Sequence, residues 1–322
     1  MNKIRAIVLA SSALMLASAA QAADIVAAPA PTWTGFYFGV GVGGGYSFAD
    51  TSVAGGGFYD DYYEGELPIP QGDSSALELM PIYNVDTATV LGSFFCDAGF
   101  CSGSTGADAG FKDDQGKAGI LGRAEIGADY QFDRIVAGVN ASFTLGSREM
   151  SAKAGGSGGG DFYDSIDGSS GGGGGGVVNS SLDIGNSWSI GGRLGYLVTD
   201  STLVFASGGY TQEEANLKAR FQGSSGAGDE DGGIEAAYNV KASSDEWLDG
   251  YYIGGGLETL LTDHFSLKLE YRYADYGSIK AKKGDSFYGS CDGEACFDYG
   301  AGVKAKADVT DQSVVATISF RM

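Results

Sequence analysis

The chain has 322 residues, with 41 Asp and Glu against 20 Lys and Arg, a single His and 55 Gly. One residue in six is glycine against an average near 7%, which is far from an enzyme's composition. The formal charge of −21 weighs against nucleic acid as a partner and against adhesion to anionic lipid through a basic patch.

Residues 1–22 read as a secretory signal peptide. Lys3 and Arg5 precede the apolar run IVLASSALMLASA, and Ala20-Gln21-Ala22 supplies the small-residue cleavage site. That segment carries two of the 20 basic residues and none of the acidic ones, so the mature chain has 18 minus 41, or −23. Residues 23–32 are expected as a periplasmic N-terminal segment and 33–322 as one barrel domain. No other stretch approaches the roughly 20 apolar residues of a spanning helix, but strands of about 9–11 residues also cross membranes.

Eight segments then alternate with a period of two, the strand signature. The first, TGFYFGVGVGGGYSF, sets Phe36, Phe38, Val40, Val42, Tyr46 and Phe48 against Tyr37 and a column of glycines. The second opposes Ile120, Ala124, Ile126, Ala128, Tyr130 and Phe132 to Leu121, Arg123, Glu125 and Asp129. The third opposes Ile135, Val139 and Phe143 to Asn140, Ser142 and Thr144, and the fourth opposes Trp188, Ile190, Leu194 and Tyr196 to Ser187, Ser189 and Arg193. In the fifth, Val204, Ala206 and Tyr210 compete with Leu203 and Phe205 for the apolar face. The sixth puts Trp247, Tyr251, Ile253 and Leu257 opposite Tyr252, Gly254, Gly256 and Glu258. The seventh, HFSLKLEYRYADYG, sets Phe265, Leu267, Leu269, Tyr271 and Tyr273 against Lys268, Glu270 and Arg272. The eighth sets Val314, Ala316, Ile318 and Phe320 against Ser313, Thr317, Ser319 and Arg321.

The connections alternate in length. Tight turns are expected at Asp133, at Thr199-Asp200-Ser201 and at Thr262-Asp263-His264. Long loops are expected over 50–116, 149–185, 216–245 and 280–306. This is the pattern of an eight-stranded antiparallel up-and-down barrel with turns at one rim and long extracellular loops at the other. The stretch LELMPIYNVDTATVLGSFF inside 50–116 leaves a ten-stranded barrel open. Cys96 and Cys101 in CDAGFC, and Cys291 and Cys296 in CDGEAC, read as disulfides of an exported protein. Four cysteines allow three connectivities, of which two local bridges suit the short turns.

Several chemical motifs fail on context. Gly39–Gly44 satisfies G-x-G-x-x-G but lies in a strand with no helix after it. Asp229-Glu230-Asp231-Gly232 lacks the spacing of a calcium loop. The only histidine, His264, falls in a turn at the rim opposite the loops. We therefore expect no enzyme, no cofactor and no metal.

Whether the apolar faces point inward or outward decides between a soluble and a membrane barrel. Eight strands enclose only enough room for side chains or one small ligand, too little for Phe36, Phe38, Trp188, Tyr196, Trp247, Phe265, Tyr271 and Phe320 together. The opposite faces fit a narrow interior. They carry Arg123, Arg193, Lys268 and Arg272 against Glu125, Asp129, Glu258 and Glu270, four charges of each sign. Such ions need partners when removed from water, so these eight are expected as a lumen ion-pair cluster. Aromatics are expected in two girdles: Trp33, Phe36, Tyr130, Phe132, Phe265 and Phe320 near the turns, and Phe48, Trp188, Trp247 and Tyr273 near the loops.

The segments WTGFYFGVGVGGGYS, GRLGYLVTDSTLVFASGGYT and LEYRYADYGS resemble the alphaproteobacterial outer-membrane surface-antigen family, small OmpA-like barrels of porin-family type. The resemblance covers the strands and hardly touches the loops. It implies the outer membrane of a Gram-negative bacterium, contact with outer-membrane lipid and lipopolysaccharide, and insertion by the barrel-assembly machinery. That family usually ends in an aromatic residue, whereas this chain ends Phe320-Arg321-Met322, so Phe320 is the expected assembly signal. The expected role is structural and surface-exposed, with acidic loops that bind a cationic or host-surface ligand. Residues 50–116 hold 12 acidic residues and one Lys. The alternatives are a passive diffusion porin for small solutes and a surface adhesin.

Overall fold

The computed structural model describes residues 32–63, 92–97, 100–164, 168–229, 232–288 and 295–322, with side chains over 32–57, 109–155, 174–225, 237–284 and 300–322. Ten antiparallel strands are present: β1 Gly35–Tyr63, β2 Gly92–Asp97, β3 Phe100–Phe132, β4 Ile135–Leu145, β5 Arg148–Asp164, β6 Gly168–Thr199, β7 Thr202–Asp229, β8 Gly232–Leu260, β9 Phe265–Tyr288 and β10 Ala295–Arg321. Neighbours run β1-β10-β9-β8-β7-β6-β4-β3, and β1 pairs β3 to close the ring. Gly35 stands opposite Asp129 at one end of that closing pair. β4 and β5 are two halves of one wall, both paired to β6. The ring thus has eight walls. β2 pairs only β3, with Cys96 opposite Cys101 in register, on the edge of β3 that faces away from β1. The cysteine side chains, the signal peptide and residues 23–31 lie outside the described residues.

The turns fall where expected. β3 and β4 are joined by two residues, and Asp133 takes φ of 55° there, a left-handed conformation that Asp tolerates better than most residues. β6 and β7 meet at Asp200-Ser201, and β8 and β9 at 261–264. His264 lies in this last turn with its ring stacked on Phe320, 5.9 Å between centroids.

At the outer end, the stretches expected as long loops are mostly strand. β1 runs on to Tyr63, β6 begins at Gly168, β7 continues to Asp229 and β10 begins at Ala295. The backbone keeps its period of two, but the chemistry of the two faces changes places. In the half that carries the turns the outward residues are apolar, from Trp188 at 37% exposed to Ile120 at 81%. Farther out, the inward residues become the apolar ones: Val53, Phe111, Val178, Leu217, Phe221 and Val240 are all buried in one cluster. Lys153, Lys218 and Lys241 face outward beside them. These walls are rich in glycine and serine, so their inward apolar stripe is thin and reads as loop in sequence alone. Gly55 and Gly176 stand against the Phe221 ring, where a Cβ on them would lie 2.7 and 2.6 Å from it. A barrel of two solvents results, with apolar side chains outward in one half and inward in the other.

Candidate functional site: the charged lumen

Inside the half with the apolar exterior, strand parity aims every inward charge at the barrel axis. All eight side chains named from sequence lie there. They are Arg123, Glu125 and Asp129 on β3, Arg193 on β6, Glu258 on β8, and Lys268, Glu270 and Arg272 on β9, none more than 6% exposed. Four more join them: Arg148 on β5, Glu213 on β7, Asp311 and Arg321 on β10, none above 8%. The interior therefore balances six cations with six carboxylates.

The charges form three layers. Next to the turns, Arg193 donates from Nε to Asp129 Oδ1 at 2.8 Å and from Nη1 to Glu258 Oε2 at 2.6 Å, with a further short contact from Nη2 to Asp129. Arg321 donates to the same two carboxylates, at 2.6 Å to Asp129 and 3.1 Å to Glu258. Both guanidiniums lie over the Tyr37 ring, at 4.7 and 5.3 Å. Trp33 closes the floor. It is fully buried, with Arg321 4.8 Å above its ring and its indole N–H donating to the Asp200 carbonyl at 3.2 Å. Trp33 is therefore not a girdle residue, which corrects the sequence expectation. It precedes the first strand, so no strand parity holds it outward, and the Arg321 guanidinium draws it in.

In the middle layer Lys268 donates to Glu125 at 2.5 Å and lies 3.6 Å from Glu270. Glu270 also meets Arg123 at 3.3 Å and Arg272 at 3.0 Å, and accepts from the Ser207 hydroxyl at 2.8 Å. Arg272 reaches the Ser142 and Ser189 hydroxyls at 3.2 Å each and lies 4.5 Å over the Tyr252 ring. The outer layer is Arg148, at 2.8 Å from Glu213 and 3.0 Å from Asp311, which also accepts from Ser47 at 2.9 Å. Between the middle and outer layers an interior cavity of about 30 Å³ is lined by Arg123, Arg148, Arg272 and Tyr276 among others. That is room for about two water molecules.

Glycines make this packing possible. A Cβ at Gly127 would lie 2.5 Å from the Tyr37 ring, and one at Gly191 would lie 2.3 Å from the Tyr252 hydroxyl. Sequence reasoning missed Arg148, Glu213 and Asp311 because they fall in stretches read as loop or at their edges. Arg321 was on the inward face by parity and its role lay in its terminal position. In the ambiguous fifth segment, Leu203 and Phe205 turn inward and Val204 and Tyr210 outward. Phe320 sits at the turn rim against Phe38 and Phe265, 5.5 and 5.3 Å between centroids.

The outward face carries aromatics at both edges of its apolar band. Phe36, Tyr130, Phe132, Tyr196 and Phe265 are exposed near the turns, and Tyr46, Trp188, Tyr210, Trp247 and Tyr251 at the other edge. Trp188 packs edge-on to Tyr210 at 5.6 Å.

The outer membrane protein beta-barrel domain family matches residues 97–292 of this chain. The 31 kDa outer-membrane immunogenic proteins of Brucella melitensis biotype 1 and Brucella suis biovar 1 are each 26% identical over 287 residues, spanning 85% of this chain and 88% of theirs. Among solved structures, Ail of Yersinia pestis aligns at 12% identity over 85% of this chain and 99% of its own, with a TM-score of 0.25, too slight an overlap to carry an argument. A closed antiparallel ring with an apolar exterior, and a family match over more than half the residues, lead to one conclusion: the chain belongs to the outer-membrane β-barrel family and resides in the outer membrane of a Gram-negative bacterium.

Proposed function

We propose that the chain is a non-enzymatic, structural barrel with a sealed lumen, whose outer end presents acidic segments at the cell surface. The observation that carries this reading is the interlocked lumen of six cations and six carboxylates, with room for only about two waters between its outer two layers. An eight-walled barrel is normally filled by its own side chains, whereas 16–18 strands leave an aqueous pore. Above the charges, Leu217, Phe221 and Val240 add an apolar layer that water does not cross readily. Single-channel recording of the refolded protein in a planar bilayer tests the proposal. We expect no steady conductance; reproducible steps would overturn it in favour of passive diffusion of small solutes. The surface role has its own test. Neutralising Asp60, Asp61, Glu64 and Glu66 should weaken binding of a cationic or host-surface ligand, and unchanged binding would remove the acidic segments from the account.

A further inference from the structure

The ring is closed only in its inner half. Among the described residues, β8 and β9 pair from Leu260–Ser266 up to Tyr251–Asp275, and β3 and β4 pair up to Gly122–Leu145. Two bulges lie at this level, and a bulge bends its strand. In β9, Gly277 takes φ of 68° and donates its N–H to the Asp275 carboxylate at 3.0 Å, while the pairing with β10 shifts between Asp308 and Thr310. The inward residues change there from Arg272, Ala274 and Tyr276 to Ile279 and Ala281. In β6 the pairing with β7 shifts between Ile184 and Ser187, where β4 gives way to β5. Beyond the bulges the wall parts into two sheets, β9-β10-β1-β3 and β5-β6-β7-β8. They face each other across the apolar cluster, with Gly55 of β1 against the Phe221 ring of β7 and Gly57 against the Tyr238 ring of β8. Water reaches both seams. Glu246 on β8 is exposed although Ala242 and Leu248, of the same parity, are buried, and so are Asp113 and Lys117 on β3, between buried Phe111 and Leu121.

The β8 side of the β8–β9 seam is an open strand edge. The Leu260 N–H donates to the Ser201 carbonyl at 2.8 Å, and the β7–β8 register runs without a shift from Thr202–Thr259 to Asp229–Gly232. Even-numbered residues of β8 therefore exchange hydrogen bonds with β7, and odd-numbered ones turn their N–H and C=O the other way. From Tyr251 inward, β9 takes these up; from Asn239 to Asp249 no strand does among the described residues. The outward faces beside the seam carry Arg220 and Lys241 on the β7–β8 side, and Lys280, Lys282, Lys304 and Lys306 on the β9–β10 side. Carboxylates border it as well: Asp249 and Asp275 at its base, Asp245 and Glu246 on β8, and Asp308, which Lys306 meets at 2.8 Å. The β9–β10 side thus sets four outward lysines against Asp308 above the base.

An open edge accepts a further strand through main-chain hydrogen bonds, and the side chains of that strand alternate between the two faces of the sheet. On the inner face an added strand would adjoin Val240, Ala242 and Leu248, which calls for apolar residues. On the outer face it would adjoin Lys241, with Lys280 and Lys282 across the seam, which calls for carboxylates. We infer that the β8 edge from Asn239 to Asp249 docks an extended segment of a partner polypeptide in which apolar and acidic residues alternate. The row of main-chain groups selects a polypeptide over an acidic saccharide, which offers no matching row of N–H and C=O. The second seam, between β3 and β5, has Lys112, Asp114, Glu149 and Lys153 on its outward faces and so no charge preference. The inference concerns the rim and not the lumen, so its failure and that of the sealed-lumen reading are distinguishable.

The test uses the full chain folded in detergent and a fluorescent peptide of alternating valine and glutamate, as long as the Asn239–Asp249 edge. We expect this peptide to bind about tenfold tighter, or more, than the same sequence N-methylated throughout, which has no main-chain donors. Lysine in place of glutamate should weaken binding as well. On the protein, Ser243→Pro removes an N–H that faces the seam and none that bonds β7, a place where a strand tolerates proline. It should cost most of the affinity while the barrel stays heat-modifiable on gels. Hydrogen exchange over Asn239–Gly250 should slow when the peptide is added. Equal binding of the methylated peptide would overturn the inference, because charge alone would then hold the ligand, as it would a sulfated polysaccharide. Equal binding of the lysine peptide would overturn it too, as would exchange that the peptide leaves unchanged. Should Ser243→Pro fail to fold, the methylated peptide and the exchange measurement on the unmodified chain decide.

Discussion

Arg193→Met is the sharpest probe of the lumen. It keeps an unbranched stem of similar length but removes the cation that Asp129 and Glu258 share, at 2.8 and 2.6 Å. Among the described residues Arg321 is then the one cation still bonded to these two carboxylates, which are each at most 5% exposed. The innermost layer, neutral as two against two, becomes net negative by one charge. Leaving a buried charge uncompensated costs about 3–5 kcal/mol, or roughly a 10²- to 10⁴-fold fall in the folded-to-unfolded ratio at about 1.4 kcal/mol per tenfold. The measurement is denaturant unfolding of the full chain in lipid vesicles, followed by heat-modifiable mobility on gels and by tryptophan fluorescence. Arg193→Met/Asp129→Asn restores one carboxylate to one cation in that layer and should recover at least half of the loss. A single variant within about 0.5 kcal/mol of the parent would refute the reasoning, since the two carboxylates would then have to be hydrated one by one in a wet lumen.

Glu270→Gln removes the carboxylate that Arg123, Lys268 and Arg272 share. The same unfolding assay should register a loss of about 3 kcal/mol or more, against no change if each cation finds water. Gly191→Val places side-chain atoms against the Tyr252 hydroxyl and the Gly208 carbonyl, 2.3 and 2.5 Å from the first added carbon. We expect a cost of about 1–3 kcal/mol, and a neutral result would mean the wall at Gly191 yields freely. Phe221→Ala empties the centre of the outer apolar cluster, and a loss of about 3–5 kcal/mol is expected; a loop at 216–245 would give almost none. For the same reason trypsin should cut slowly at Lys218, Arg220 and Lys241, whose side chains reach solvent while their backbones lie in the β7–β8 ladder. Rapid cleavage there, read by mass spectrometry, would return those residues to the loop assignment.

Much of the inner half was legible because a strand leaves no freedom of side. Once Phe265, Leu267 and Leu269 face lipid, Lys268 and Glu270 face the axis, and the same holds for Arg123, Glu125 and Asp129 against Ile126 and Tyr130. The outer half was not legible by the same rule. Its inward stripe is made of residues such as Ala49, Val53, Ala215 and Ala219, too small to stand out beside glycine and serine. Lysines on its outward face then look like a solvated connection. Trp33 was misread for a different reason: its place is set by the Arg321 cation and the Asp200 carbonyl, contacts 288 and 167 residues away that no local pattern encodes.

β7 shows why one strand carries both patterns without a change of register. Val204 and Tyr210 face out, and so do Asn216, Lys218 and Arg220; Phe205, Thr211 and Glu213 face in, and so do Ala215, Leu217 and Phe221. Even-numbered residues point outward throughout, and only the chemistry switches, within a few residues of Thr211. A strand apolar on both faces would not specify which side meets the lipid, and a one-residue slip would go unpunished. Charges on the inward face make that slip costly inside the membrane, because they would then face hydrocarbon. Beyond the membrane the alternative solvent is water, so the same discrimination needs the opposite arrangement, apolar inward and lysine outward. The Arg148–Glu213–Asp311 layer stands at this changeover. It is the outermost of the three charged layers, at the level where the outward face stops being apolar.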